Sequence, residues 1–173
     1  AAQLEALAGG DENLDRLAEE VRATRDAFEA ACGELSNKRA AAAKQLDRSV
    51  AAELPALKLG KAVFATRLDV LDEAQWGEHG AERVSFEVAT NPGTPPGPIN
   101  RIASGGELAR FMLALKVVVA NSGTAATLVF DEVDSGVGGA VAAAVGERLS
   151  QLGEGRQVLV ITHSPQVAAR GAS

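Results

Sequence analysis

In the first third of the chain, apolar residues recur at alternating steps of three and four: Leu14, Leu17, Val21, Thr24, Phe28, Ala31 and Leu35. This is the heptad seam of a coiled coil, an apolar stripe on one helix face that calls for a partner helix. Asp11, directly after Gly9-Gly10, is placed to offer an N-cap oxygen, and apart from Gly33 no Gly or Pro follows until Pro55, which stops the pattern after Leu54. One helix, or two nearly collinear ones, is predicted. From about residue 12 to 54 it would span on the order of 60 Å at about 1.5 Å per residue. A compact domain of this size cannot use that length internally, so the helix is expected to project. Residues 1–57 then form an arm segment and residues 58–173 a globular lobe. The alternative is an amphipathic helix folded back onto the lobe.

Beyond the arm the period changes. KAVFATRL at 61–68 and RVSFEVA at 83–89 read as two neighbouring strands, with Gly77 and Gly80 between them. Asn91-Pro92-Gly93 and TPPGP at 94–98 are too rich in proline for a regular element and predict a loop. A helix restarts at about Ser104 and runs through Val119, with Leu108, Phe111, Met112 and Leu115 on one face. TLVF at 127–130 reads as a short buried strand ending in two carboxylates, 138–152 as a helix, and QVLVIT at 157–162 as a second buried strand followed by His163. Apolar strands joined by a helix of this length predict a parallel pair with a crossover connection, hence an α/β class.

Composition narrows the picture. The 173 residues suit one domain plus extended structure. Alanine supplies 34 of them and aromatic residues only 3%, which favours helices and small-residue packing over stacking platforms for bases or sugars. No apolar run reaches the ~18 residues of a membrane span, the start lacks the order of a secretory signal, and no membrane partner is expected. The chain is therefore expected to be cytoplasmic. Cys32 stands alone, which excludes a disulfide framework. The chain opens without Met, in helical sequence, and reads as an excised piece of a longer protein.

The net charge of −6 hides a split: residues 1–35 carry three basic and nine acidic side chains, whereas 36–61 carry Lys38, Arg39, Lys44, Arg48, Lys58 and Lys61 against Asp47 and Glu53. A basic stretch on a helix can attract nucleic-acid phosphates, although solvated helix faces often look the same.

Three places carry candidate chemistry. Ser104-Gly105-Gly106-Glu107 opens a helix, where two glycines let the backbone approach an anion and the free N–H groups point at it. A Ser with Glu three residues on is also a plain capping box. The strand TLVF delivers Asp131 and Glu132 to its carboxyl end, where α/β sheets bind ligands. One carboxylate suits Mg²⁺ and the other can take a proton from an attacking water. His163 follows the second apolar strand and should sit on the same sheet edge, able to donate to a phosphate oxygen.

Read together, these elements resemble the C-terminal lobe of an ABC-type ATPase head: signature Ser104-Gly105-Gly106-Glu107, a Walker B strand ending in Asp131-Glu132, a D-loop Asp134-Ser135-Gly136 and a switch His163. Preceded by an arm, they are similar to the SMC-like branch of that superfamily. The stretches IASGGELARFMLALKVVVA, LVFDEVDSGVGG and GRQVLVITHSPQVAARG look most like the RecN family of bacterial double-strand-break repair proteins. The resemblance covers about residues 1–171. It implies ATP and Mg²⁺ as ligands, a homodimer of ATP-bound heads, DNA as macromolecular partner and a nucleoid location. It also implies roles: Asp131 for the metal, Glu132 as catalytic base, His163 at the γ-phosphate, and Ser104, Gly105, Gly106, Glu107, Asp134, Ser135 and Gly136 as nucleotide-binding residues, with Ser104 and Gly106 reaching the opposite subunit's γ-phosphate and Asp134 carrying signals across the head interface. Another SMC-like or RecF-like chromosome ATPase, or a scaffold with a degenerate nucleotide site, are the alternatives. The phosphate loop G-x-x-x-x-G-K-[ST] is missing: Gly60-Lys61 is followed by Ala62, and Pro55 stands where the first glycine belongs. The phosphate cradle is therefore expected on an N-terminal lobe of the same protein, and this piece alone is expected to be inactive.

Overall fold

In the computed structural model, which describes residues 2–101, 105–122, 126–131, 133–134 and 137–172, with backbone only at 2–12 and 121–122, the alanine-rich start forms one unbroken helix. This helix, α1 (Ala2–Glu53), has no cap at Asp11, because Gly9 and Gly10 lie inside it. Each glycine costs a helix only about 1 kcal/mol relative to alanine, and strong helix formers on both sides absorb that cost. Pro55 does stop it: the chain turns at 54–59, Leu59 N–H donating back to Leu54 O at 2.9 Å.

Contacts divide the chain into two units, residues 1–41 with 69–83, and residues 42–68 with 84–173. In the first unit, Leu14, Leu17 and Val21 of the heptad seam are 65%, 44% and 66% exposed. Of the later seam positions, Phe28 and Leu35 are half-buried beside the segment 71–82, which contains a 3-10 turn at Glu73–Gln75, while Thr24 and Ala31 stay exposed. Trp76 lies against Phe28 with ring centroids 5.8 Å apart, and its indole N–H donates to Leu71 O at 3.0 Å. The Arg39 guanidinium donates to His79 O at 2.9 Å, and Gly80, at φ +89°, passes so close that a Cβ there would lie 3.0 Å from Leu35 Cδ2. Arg25 meets Glu73 at 2.8 Å and Glu29 at 2.9 Å, and these two carboxylates, Glu73 foremost, hold the guanidinium pKa up.

The second unit holds the apolar core. Val50, Leu54, Leu57, Phe111, Leu113 and Val145 are its largest fully buried side chains. Strands β1 (Val63–Val70) and β2 (Glu82–Ala89) are hydrogen-bonded neighbours, as their alternation predicts. The proline-rich loop contributes a third, two-residue strand, β3 (Gly97–Pro98), paired antiparallel to Glu87 and Val88. An edge position tolerates Pro98, since a missing N–H on the outer side costs no ladder bond. Asp47 on α1 accepts two hydrogen bonds on one oxygen, from the Thr66 amide and the Thr66 hydroxyl, both 2.8 Å. After helix α2 (Gly105–Ser122), strand β4 (Thr127–Asp131), helix α3 (Gly139–Gly153) and strand β5 (Gln157–Ile161) form the predicted parallel unit, followed by the short α4 (Pro165–Ala168). The fold class is α/β. At Gly146 of α3 a Cβ would lie 3.1 Å from Val167 Cα, so glycine is what lets α3 and α4 approach.

Candidate functional site

Parallel pairing runs in register from Thr127↔Gln157 to Asp131↔Ile161, so both strands deliver their following residues to the same edge. In an α/β sheet that carboxyl edge is where ligands bind. Asp131 ends β4 with an exposed side chain, and His163, two residues past the end of β5, is exposed beside the same edge in sequence register. The two expected neighbours are therefore brought to one edge.

Asp134 behaves differently from a surface loop acid. It is 8% exposed, the one charged side chain fully buried among the described residues. Its Oδ2 accepts from the Thr162 hydroxyl at 2.5 Å and from the Ser164 amide at 3.0 Å. The Ser164 amide lies equally 3.0 Å from Thr162 Oγ1, and the Val137 amide donates to Asp134 O at 3.1 Å. The turn after β4 and the turn after β5 are thus joined through one carboxylate. Thr162 and Ser164 were not singled out by sequence reasoning. The available signal was a hydroxyl residue on each side of His163, which gains meaning only once Asp134 is known to face them.

Gly105, Gly106 and Glu107 form the first turn of α2, with Gly105 exposed and the other two half-buried. Among the described residues a Cβ at Gly105 meets nothing within 4 Å, so their packing does not require glycine there. Glu107 in the first turn is favourably placed against the helix dipole. Ser104, Glu132, Ser135 and Gly136 lie outside the described residues. Of the basic stretch, Arg39 is committed to His79 and stands 3.9 Å from Glu82, while Lys44, Lys58 and Lys61 are exposed.

The expectation of two buried strands holds for one face only among the described residues. Leu128, Phe130, Val158 and Val160 turn toward the core, but Val129, Leu159 and Ile161 on the other face are 63%, 50% and 53% exposed. Alternation along each strand puts these residues on the opposite side, and nothing among the described residues covers it. Beside β4, Met112, Leu115 and Val119 of α2 help line an apolar groove of about 530 Å³.

No family model matches the chain. Curated proteins do. The DNA repair protein RecN of Rickettsia bellii is 47% identical over 137 residues, covering 79% of this chain and 24% of that protein. RecN of Xylella fastidiosa (strain Temecula1) is 41% identical over 171 residues, covering 99% of this chain and 31% of that protein. The chain thus spans under a third of the length of these relatives. Among solved structures, one described under ATP-driven dimerization and DNA stimulated activation of SMC ATPases superposes with a TM-score of 0.57 at 19% identity, covering 78% of this chain and 77% of that one. Motif order, the parallel β4–β5 unit and similarity across nearly the whole chain agree: by sequence the chain is similar to part of the RecN DNA repair proteins, and its fold is similar to that of the solved SMC proteins.

Proposed function

We propose that this chain is part of an SMC-like ATPase of DNA double-strand break repair and recombination, whose heads bind and hydrolyse ATP at a head–head dimer interface to control DNA binding or tethering. The observation that carries this reading is the convergence of Asp131, Asp134 and the His163 turn on the carboxyl edge of the β4–β5 pair. It is supported by the relatives' name, DNA repair protein RecN, and by the solved SMC ATPases, whose description couples ATP to dimerization and DNA to activation. Residues 1–57 serve as an arm segment and residues 58–173 as one lobe of the head. The other lobe supplies the phosphate loop and packs on the apolar face of Val129, Leu159 and Ile161.

Asp131 fits a Mg²⁺ ion: a single exposed carboxylate at a sheet edge suffices for a cation that keeps water and phosphate oxygens as its other ligands. Bound there, Mg²⁺ would neutralise phosphate charge. Glu132, next in sequence, orients the attacking water and takes its proton, and His163 donates to the γ-phosphate. Gly105 and Gly106, with Ser104, approach the nucleotide of the opposite subunit through backbone N–H groups at the start of α2. The exposed Lys44, Lys58 and Lys61 are available to DNA phosphates.

The test is steady-state ATP hydrolysis by the full-length protein. Glu132→Gln should lower turnover by about 100-fold or more, within the range of general-base catalysis, with nucleotide binding retained. Wild-type turnover in that variant would remove Glu132 from its role. Hydrolysis by this chain alone would mean that the phosphate site has been misplaced.

A further inference from the structure

We propose that Asp134 is the positioning residue for His163, acting inside its own subunit by holding both residues that flank the histidine. The inference rests on the ATPase reading and deepens it. The resemblance assigns Asp134 to the head interface, but here its carboxylate is turned inward and buried, and one oxygen carries both the Thr162 hydroxyl and the Ser164 amide. The third contact, Ser164 N–H to Thr162 Oγ1, closes a ring around the backbone of residue 163. A residue clamped on both sides has little freedom in its own φ and ψ, so the Cα–Cβ vector of His163 is set by a group on the neighbouring strand's turn. Hydrogen bonds to an ionised acceptor are the strong kind, and burial removes competing water. A histidine that meets a phosphate oxygen must be placed to a fraction of an ångström, and a free turn between β5 and α4 would not do this. Because Asp134 lies three residues after Asp131, the same short segment sets the end of the metal-binding strand and the position of the histidine.

The chemistry of the pair gives a discriminating set of variants. Both donors use Oδ2, and the carbonyl oxygen of an asparagine has two lone pairs, so Asp134→Asn can accept both bonds while Asp134→Ala can accept neither. In full-length protein, Asp134→Ala should lower kcat for ATP hydrolysis about tenfold with KM little changed, and Asp134→Asn should recover most of that loss. In a His163→Ala background the Asp134→Ala change should cost about nothing further, since a positioning residue has no effect once its target is gone. Thr162→Val, which keeps the shape and removes one donor, should show a smaller loss with the same disappearance, and it replaces Asp134→Ala in the cycle if that variant fails to fold. Multiplicative losses in the double variant, or wild-type kcat in Asp134→Ala and Thr162→Val, would overturn the inference while leaving the ATPase reading intact. Wild-type turnover in His163→Ala would instead overturn the role of the histidine and this inference with it, while Glu132→Gln still reports on the ATPase reading separately.

Discussion

Two helical glycines show how the same residue type carries opposite consequences. Gly33 lies exposed on α1 and a Cβ there meets nothing within 4 Å among the described residues, so only the backbone entropy of glycine counts. Gly33→Ala should stabilise the chain by about 1 kcal/mol. Gly146 has the same propensity to gain, but its Cβ would lie 3.1 Å from Val167 Cα and 3.2 Å from Gln166 O, backbone atoms that cannot swing aside. Overpacking of about 1–3 kcal/mol outweighs the gain, and Gly146→Ala should be net destabilising. Denaturant midpoints of the two variants, measured side by side, should move in opposite directions. Sequence alone treats both as helix-weakening glycines, because nothing local reports that α4 lies against one of them. Asp134 is the same case in polar form: nothing local sets it apart from the acids just before it until Thr162 and Ser164 are brought to it across 28 and 30 residues.

At the scale of elements, hydrophobic period foretold most of what forms. The heptad spacing, the absence of proline before Pro55 and the alternation of 61–68 and 83–89 depend on local chemistry, and α1, β1 and β2 follow them closely. The expected cap at Asp11 failed because a glycine pair is a weak stop when helix formers continue on both sides. β3 escaped notice because a two-residue edge strand is defined by its partner, Glu87 and Val88, and not by its own residues. The tie between α1 and β1 is likewise non-local. Asp47→Ala would leave the Thr66 amide and hydroxyl in a half-buried place without their acceptor, a loss of about 1–3 kcal/mol that thermal or chemical unfolding should register. Asp47→Asn, retaining one acceptor oxygen, should lose less.

For the whole molecule, the exposed face of β4 and β5 is the decisive feature. Parallel strands ordinarily have both faces covered, and Val129, Leu159 and Ile161 are half or more exposed. If another lobe of the full-length protein packs there, Val129→Asp should be nearly neutral for the stability of this chain by itself and should destabilise the full-length protein by several kcal/mol, the cost of burying an unpaired charge. Equal tolerance in both settings would show that the face stays open. Length and motif order in the sequence determined the α/β class, the long helix, the parallel strand pair and the likeness to RecN proteins, because each of these rests on period, spacing and residue type within short windows. Only the tertiary structure decided which acids face inward, which glycines are close approaches, what covers the seam at Phe28 and Leu35, and which face of the sheet lacks a partner. Those outcomes depend on contacts between residues far apart in the chain, and a side chain's role there is set by what the fold places beside it.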